Sequence, residues 1–266
     1  MVKSRIVFLG SRDLGYKALK WLLEDDRFII VGVGLGSDSE YRTSENDLIS
    51  LIEKYKLNVI NESELDSIEF EVGISVNYHK IIKKSVLDRA SRGFWNIHHS
   101  YNLRLRGRNI TTHAILNSKK DQIHYHGTSL HQMVPELDSG PIVASRSVKI
   151  ESDDTAYTLF TKVDEIALEL FKEWIPHIAF EKVFPYDAPN EGVRMFKAKD
   201  LPPKEIPKNL TDDQIYDYVR AFDFPGHEPA FIYTGGGKLE LVAKERENYR
   251  KKIVIANKIM FTRSSS

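Results

Sequence analysis

Residues 5–22 read RIVFLGSRDLGYKALKWL, and this stretch decides the fold class. Its first six residues form a mostly apolar run, which predicts a buried β-strand. After a glycine turn, apolar residues recur at the spacing of one helix face: Leu14, Ala18, Leu19 and Leu22. A buried strand followed at once by an amphipathic helix predicts the first βα unit of an α/β protein.

The alternation of strand and helix continues along the chain. Further strands are predicted at residues 28–36, 57–60 and 72–78, with a helix at 48–56. Strands separated by helices favour a Rossmann-like, doubly wound and mostly parallel sheet.

A long amphipathic helix is predicted over residues 155–174, where apolar residues repeat at helical spacing. Ser152 and Asp153 are its capping candidates, because short polar side chains accept hydrogen bonds from a helix N-terminus. The helix is expected to end before Pro176, since proline lacks the backbone N–H that a helix interior needs.

Proline positions suggest a domain boundary. None precedes Pro135, whereas eight of the ten prolines lie between Pro176 and Pro229. Such clusters are typical of linkers and loops. The predicted organisation is an N-terminal catalytic domain over residues 1–185, a linker-like segment over 186–208 and a small α+β subdomain over 209–266.

The C-terminal subdomain carries two local signals. Thr211 and Gln214 have the spacing of a capping box, which predicts a helix start. Residues 229–245 contain two alternating runs around three glycines, which predicts a β-hairpin. Because this hairpin is apolar for a surface element, we predict that it forms a homodimer interface.

Composition excludes several classes of function. Lys+Arg and Asp+Glu are both 38, whereas proteins that bind a nucleic-acid backbone usually carry excess positive charge. The absence of cysteine excludes disulfides and cysteine nucleophiles, and it fits a reducing compartment. No apolar run is long enough for a secretory signal or a membrane span, so a cytoplasmic protein is expected.

Dinucleotide and metal sites are both disfavoured. Gly10 and Gly15 lack the spacing of the dinucleotide fingerprint, so NAD binding is not expected. Six of the nine histidines lie between His98 and His131, but no carboxylate triad or metal-binding helix motif accompanies them. We therefore predict that no metal is bound.

Asn96, His98 and Asp138 form the strongest candidate reaction centre. In a continuing strand Asn96 and His98 point to one side, and His99 points to the other. An amide donor can stabilise an oxyanion, an imidazole can accept a proton, and a carboxylate can orient that imidazole. Each residue alone is more often structural, but together they favour acyl transfer to an amine.

Three stretches resemble the folate-dependent formyltransferases. These are NIH at 96–98, RGR at 106–108 and GTSLHQMVPELDSGPIV at 127–143, and residues 219–236 are similar to the C-terminal subdomain of the sugar-modifying members. The resemblance implies the formyltransferase fold, with Asn96, His98 and Asp138 as catalytic residues and N10-formyltetrahydrofolate as co-substrate. It also implies a folate site formed by six residues: Asn77, Tyr78, His79, Lys80, Leu137 and Asp138.

The chain departs from many family members at residues 101–105, where a leucine-leucine-proline and a tyrosine are replaced by Tyr101, Asn102, Leu103 and Leu105. By the resemblance this loop borders the acceptor site. Nearby basic residues favour an anionic acceptor such as a sugar nucleotide, because arginine pairs bidentately with pyrophosphate. The candidate substrate-binding residues are Arg12, Arg104, Arg106, Gly107 and Arg108.

The resulting hypothesis is an enzyme that formylates a nucleotide-linked amino sugar. We expect a dTDP-3- or 4-amino-dideoxyhexose, with 4-amino-4,6-dideoxyglucose favoured, for biosynthesis of an O-antigen-type surface polysaccharide. The tRNA-directed family members carry an additional nucleic-acid-binding domain, and few residues follow the linker here. The alternatives are a methionyl-tRNA or glycinamide ribonucleotide formyltransferase, and a non-catalytic α/β module that binds a ligand.

Overall fold

The computed structural model describes residues 2–36, 47–234, 237–244 and 252–255. Its strands are β1 (Ser4–Gly10), β2 (Phe28–Leu35), β3 (Val72–Val76), β4 (Phe94–His98), β5 (Leu105–Gly107), β6 (Tyr125–Gln132), β7 (Ile142–Lys149), β8 (Arg194–Phe196), β9 (Ala230–Thr234), β10 (Gly237–Lys244) and β11 (Lys252–Ile255). Its α-helices are α1 (Arg12–Leu23), α2 (Leu48–Tyr55), α3 (Lys84–Leu87), α4 (Ile110–Asn117), α5 (Ala156–Phe180) and α6 (Asp212–Phe222).

The largest sheet has the strand order β2-β1-β3-β4-β6-β7. β1 pairs in parallel with β2 and with β3, and β3 pairs in parallel with β4. β6 is antiparallel to β4. The mostly parallel sheet predicted from the sequence is confirmed. Because parallel strands share one direction, the carboxyl ends of β1, β3 and β4 meet at one edge of the sheet.

Apolar side chains cover both faces of this sheet. Trp95 and Ile97 of β4 pack in one core cluster with Phe171 of α5. Phe94 of β4 packs in a second cluster with Val7 of β1, on the opposite face. The predicted face of α1 is buried in the first cluster through Leu14, Ala18, Leu19 and Leu22.

The strand predicted at residues 57–60 is reduced to a single bridge. Val59 pairs with Val33 of β2 in an isolated parallel bridge. The backbone N–H of Val33 donates to Asn58 O, and that of Ile60 donates to Val33 O. This short run therefore satisfies its backbone groups beside β2 without forming a longer ladder.

The prediction that the long helix ends before Pro176 is wrong. Helix α5 continues through this proline to Phe180. The residues around it, Ile175 and Ile178, are 0% and 1% exposed in the first core cluster. Burial of this apolar turn outweighs the hydrogen bond that proline cannot donate.

Capping at two helix starts can be compared with prediction. The N-terminus of α5 is capped by Thr155, whose hydroxyl accepts the N–H of Thr158 at 3.1 Å, rather than by residues 152–153. At the start of α6, Thr211 and Gln214 bond reciprocally as a capping box. The capping box of α6 is confirmed. The cap predicted for α5 at Ser152 or Asp153 is wrong, because the cap is Thr155.

Contacts divide the chain into two units whose segments alternate along the sequence. The first unit comprises Met1–Arg106, Gly127–Ser147 and Asp164–Arg194. The second unit comprises Gly107–His126, Val148–Val163 and Met195–Ser266. In the second unit α4 and α6 pack together, and β9 pairs antiparallel with β10 as the predicted hairpin. Residues 235–236 of its turn lie outside the described residues. The linear boundaries at 185 and 208 stay predictions.

Candidate active site

The carboxyl ends of β1 and β3 are tied together by Ser11. Its backbone N–H donates to Val76 O at 3.1 Å, and its hydroxyl donates to Asn77 O. Arg12 and Asn77 both have positive φ, at 60° and 54°. These turns place the start of α1 beside the loop that follows β3.

Asn96 and His98 lie on one side of β4, as strand alternation predicts. In the antiparallel register Asn96 is directly opposite His131 of β6. The side chain of His99, which follows the strand, instead contacts α5, where its Nε2 lies 3.0 Å from Oδ1 of Asp164. The two adjacent histidines therefore have different acidic partners.

Asp138 comes from a turn within the loop of residues 133–141 that joins β6 and β7. It has a φ of 48°, a left-handed conformation that aspartate tolerates better than most residues. Gly140 in the same loop passes so close to Gln132 that a Cβ would lie 1.8 Å from the Gln132 carbonyl oxygen. Only glycine fits there. The turn places Asp138 Oδ2 3.7 Å from Nε2 of His98.

The hydrogen bond between His98 and Leu105 identifies which ring nitrogen of His98 carries a proton. Nε2 lies 3.1 Å from the carbonyl oxygen of Leu105, which can only accept, so Nε2 carries a proton. In the neutral ring the lone pair is then on Nδ1. The His98 and Asp138 side chains are 12% and 10% exposed, so solvent screens their interaction only weakly.

His131 is the unpredicted member of this site. Its Nε2 lies 3.2 Å from Nδ2 of Asn96, and its Nδ1 lies 3.1 Å from the carbonyl oxygen of Gln132. Burial, followed by the charge of His98, lowers the pKa of His131 to about 4. His131 is therefore neutral at physiological pH. Its position opposite Asn96 depends on the β4–β6 register, which the sequence does not specify.

The loop from Ser100 to Leu105 is held by polar contacts within the first unit. The Ser100 hydroxyl accepts the N–H of Leu105 at 2.9 Å. Asn102 and Leu103 have positive φ of 50° and 51°. Tyr186 donates its hydroxyl to Asn102 Oδ1 at 3.1 Å. Tyr186 thus supports the loop whose Leu105 carbonyl contacts His98, and sequence reasoning missed it because it is distant along the chain.

The predicted folate residues lie in two places. Tyr78 is half-buried, and burial followed by Glu62 raises its pKa to about 12. Lys80 lies over the Tyr78 ring, 5.9 Å from its centroid, and His79 is exposed. Leu137 is 56% exposed beside Asp138.

Asn77 carries the clearest sign of a missing partner among these residues. Its Nδ2 is buried and has no hydrogen-bond partner within the described part of the chain. Leaving a buried donor unsatisfied costs free energy. The Asn77 amide is therefore available to a bound molecule at the sheet edge.

The predicted anion-binding residues differ in their surroundings. Arg106 donates from Nε to Leu103 O at 3.1 Å and from Nη2 to Pro189 O at 3.0 Å. Two of its guanidinium nitrogens are therefore hydrogen-bonded to backbone carbonyl oxygens. Arg104 is exposed and Arg12 is partly exposed in the first unit. Two candidates lie in the second unit: Gly107 and Arg108.

Gly107 has a structural reason to be glycine. Its φ is 95°, and a Cβ there would lie 2.0 Å from the carbonyl oxygen of Phe196. The neighbouring N–H of Arg108 donates to that same oxygen at 2.9 Å. This close approach accounts for the glycine without a ligand.

Two features are absent from the described residues. No group of three or more potential metal ligands is present there. No helix within those ranges is long and apolar enough to span a bilayer.

The formyl transferase family matches residues 43–175, which is 133 of the 266 residues. The chain belongs to the formyl transferase family. The match includes β3, β4, the turn with Asp138 and most of α5. All residues of the candidate reaction centre therefore lie inside the matched region.

A curated relative is the methionyl-tRNA formyltransferase of Prochlorococcus marinus subsp. pastoris. It is 30% identical over 191 residues, which are 67% of this chain and 57% of that protein. This chain thus covers less than two thirds of that relative's length.

Two solved N-formyltransferase structures share the fold. A 4-N formyltransferase from Francisella tularensis has a TM-score of 0.74 at 19% identity, covering 91% of this chain and 99% of that one. An N-formyltransferase from Helicobacter canadensis, in complex with folinic acid and dTDP-3-aminofucose, has a TM-score of 0.74 at 19% identity and covers 95% of each chain.

Proposed function

We propose that this protein transfers a formyl group from N10-formyltetrahydrofolate to the amine of a nucleotide-linked amino sugar. The observation that carries the proposal is the convergence of Asn96, His98 and Asp138 at one site. His98 Nε2 lies 3.7 Å from Asp138 Oδ2, and Asn96 lies on the same side of β4 as His98.

In the proposed mechanism His98 accepts the amine proton at Nδ1. The resulting imidazolium keeps its Nε2 proton toward Leu105 O and Asp138, whose carboxylate stabilises the added positive charge. Asn96 donates an N–H to the formyl oxygen as that oxygen becomes negative during attack by the amine. Collapse of the tetrahedral adduct then restores the formyl carbonyl and breaks the bond between the formyl carbon and N10, and tetrahydrofolate leaves with the proton that His98 accepted from the amine. No covalent enzyme intermediate is required.

The proposed folate site uses Asn77 to Lys80, Leu137 and Asp138. Asn77 fits this role because its buried Nδ2 has no hydrogen-bond partner within the described chain, and folate offers several acceptors. Leu137 fits because its exposed apolar side chain lies next to Asp138. When bound, the folate supplies the formyl group.

The charge distribution of the chain and its similarity to a solved structure both favour a sugar nucleotide as the acceptor. The formal net charge is zero, although Arg12 and Arg104 are solvent-accessible in the first unit. Arginines suit a pyrophosphate, whereas a tRNA backbone usually requires a broader positive surface. The Helicobacter canadensis enzyme in complex with dTDP-3-aminofucose has the same fold.

Methionyl-tRNA is the second candidate acceptor. The observation in its favour is the 30% identity to the Prochlorococcus marinus methionyl-tRNA formyltransferase. Structural similarity favours the other acceptor: the Helicobacter canadensis enzyme in complex with dTDP-3-aminofucose has a TM-score of 0.74, against 0.63 for a methionyl-tRNA formyltransferase from Clostridium thermocellum. We therefore prefer the amino sugar.

The deciding experiment incubates the protein with N10-formyltetrahydrofolate and alternative acceptors: dTDP-3- and dTDP-4-amino-dideoxyhexoses, methionyl-tRNA and glycinamide ribonucleotide. Mass spectrometry should detect a gain of one formyl group on a dTDP-amino sugar, most readily 4-amino-4,6-dideoxyglucose. Formylation of methionyl-tRNA or glycinamide ribonucleotide alone would replace the proposal. Absence of transfer to any acceptor would favour a binding module.

Three finer expectations stay proposals. We place the product in surface-polysaccharide biosynthesis, the enzyme in the cytoplasm, and a homodimer contact at the hairpin of the second unit. Ile232 of that hairpin packs against the core of its own unit, whereas the neighbouring Tyr233 is 64% exposed and offers an aromatic surface to a partner.

A further inference from the structure

The hydrogen bonds of the His131 ring to Asn96 and Gln132 can each be assigned a direction. The carbonyl oxygen of Gln132 can only accept, so His131 Nδ1, 3.1 Å away, carries the proton. In a neutral ring Nε2 is then the acceptor. The group opposite it, 3.2 Å away, is Nδ2 of Asn96, which can only donate. The two bonds agree on one tautomer.

The surroundings of His131 preserve that neutral state. Its side chain is buried, with 2% of the residue exposed. The charged groups that act on it are His98, Asp138 and Arg106, and burial has a larger effect than any of them. Burial, His98 and Arg106 outweigh the opposing charge of Asp138 and lower the pKa of His131 to about 4, so Nε2 remains an acceptor at neutral pH.

We propose that His131 is a positioning residue that fixes the direction of the Asn96 carboxamide. This inference rests on the proposed formyl transfer. An asparagine side chain has a donor end and an acceptor end of nearly the same shape, and a flip exchanges them. By accepting one N–H of Nδ2, His131 holds the donor end in place and leaves the second N–H for the formyl oxygen.

The alternative orientation would oppose the reaction. A flipped Asn96 would place its oxygen where negative charge develops, and it would leave Nε2 of His131 buried without a donor. An amide that is fixed in advance does not have to reorient during the reaction. Such preorganised donors are the usual source of oxyanion stabilisation. His131 itself is a poor base at neutral pH, and its ring centroid lies 6.4 Å from that of His98.

The test compares His131→Leu with His131→Gln in the wild-type and Asn96→Ala backgrounds. Leucine removes the acceptor, whereas glutamine retains one. We expect His131→Leu to lower kcat by ~10-fold with KM for the amino sugar changed by less than ~3-fold, and His131→Gln to recover most of the loss. In the Asn96→Ala background, His131→Leu should lower kcat by less than ~2-fold. Equal losses in both backgrounds would overturn the proposal.

A second measurement does not depend on activity. Nitrogen-15 NMR of the histidine rings should show His131 with a protonated Nδ1 and an unprotonated Nε2 between pH 6 and 8. Assignment would use the His131→Gln spectrum as the reference. A protonated Nε2 would overturn the positioning role. If the tautomer is as expected but no amino sugar is formylated, the proposed acceptor is wrong and the Asn96–His131 assignment stands.

Discussion

The two sides of strand β4 use the same residue type in different ways. His98 lies 3.7 Å from Asp138 and is also bonded to the carbonyl oxygen of Leu105. His99 lies 3.0 Å from Asp164 of α5 and is 8% exposed. Asp138 comes from a turn in the loop that joins β6 and β7, whereas Asp164 comes from the middle of a long helix.

This difference shows how neighbouring histidines acquire separate roles. On the His98 side, the imidazole is grouped with Asn96, His131 and Asp138, so several polar groups lie together. On the His99 side, the surrounding core is apolar and the pair with Asp164 joins β4 to α5. We infer that the first side performs chemistry and the second holds the fold.

The largest effect is expected from a substitution on the His98 side of β4. Asn96→Ala should lower kcat by ~10²–10³-fold, because it removes the donor proposed for the oxyanion. Steady-state kinetics with a dTDP-amino sugar would measure the change. Asn117→Ala in the second unit is the matched control, since its amide donates to a backbone carbonyl of α4 at 2.7 Å. Wild-type kcat in a folded Asn96→Ala enzyme would remove Asn96 from the mechanism.

A smaller effect is expected on the His99 side. Asp164→Asn should lower the free energy of unfolding by about 1–3 kcal/mol, because it weakens the partner of a buried imidazole. Its kcat should stay within ~3-fold of wild type. Urea denaturation and kinetics on the same preparation would measure both, with Asp153→Asn as an exposed control. A loss of kcat without a loss of stability would contradict the division between the two sides.

The smallest expected effect concerns the loop beside His98. Tyr186→Phe removes the hydroxyl that bonds Asn102 and keeps the ring. A single neutral hydrogen bond contributes about 0.5–1.5 kcal/mol, so kcat/KM should fall by roughly threefold. Tyr157→Phe, an exposed tyrosine of the second unit, is the control. Equal kcat/KM values for the two variants would show that this bond does not support the site.

Local pattern predicted β1, β2, β3 and the C-terminal hairpin, the first helix and the opposite directions of His98 and His99. These features depend on periodicity within a few residues, which a sequence displays directly. The end of α5 was misjudged because Pro176 is a local signal, whereas burial of Ile178 is set by distant core residues. Tertiary packing outweighed the local preference there.

The roles of His131 and Tyr186 could not be predicted from local periodicity. His131 meets Asn96 only because β4 and β6 pair in one particular register, and a shift of one residue would reverse its direction. Tyr186 meets Asn102 across 84 residues of sequence. Long-range pairing of this kind becomes visible only when the sheet is assembled.

The most direct test of the account compares kcat for His98→Asn and His99→Asn after each is shown to be folded by circular dichroism. The two substitutions are chemically identical and lie at adjacent positions, the last residue of β4 and the residue after it. His98→Asn should lower kcat by ~10²-fold or more, which is the usual size of a general acid–base contribution. His99→Asn should retain most of the wild-type kcat with a lower stability. An active His98→Asn enzyme and an inactive, folded His99→Asn enzyme would contradict the proposed active site.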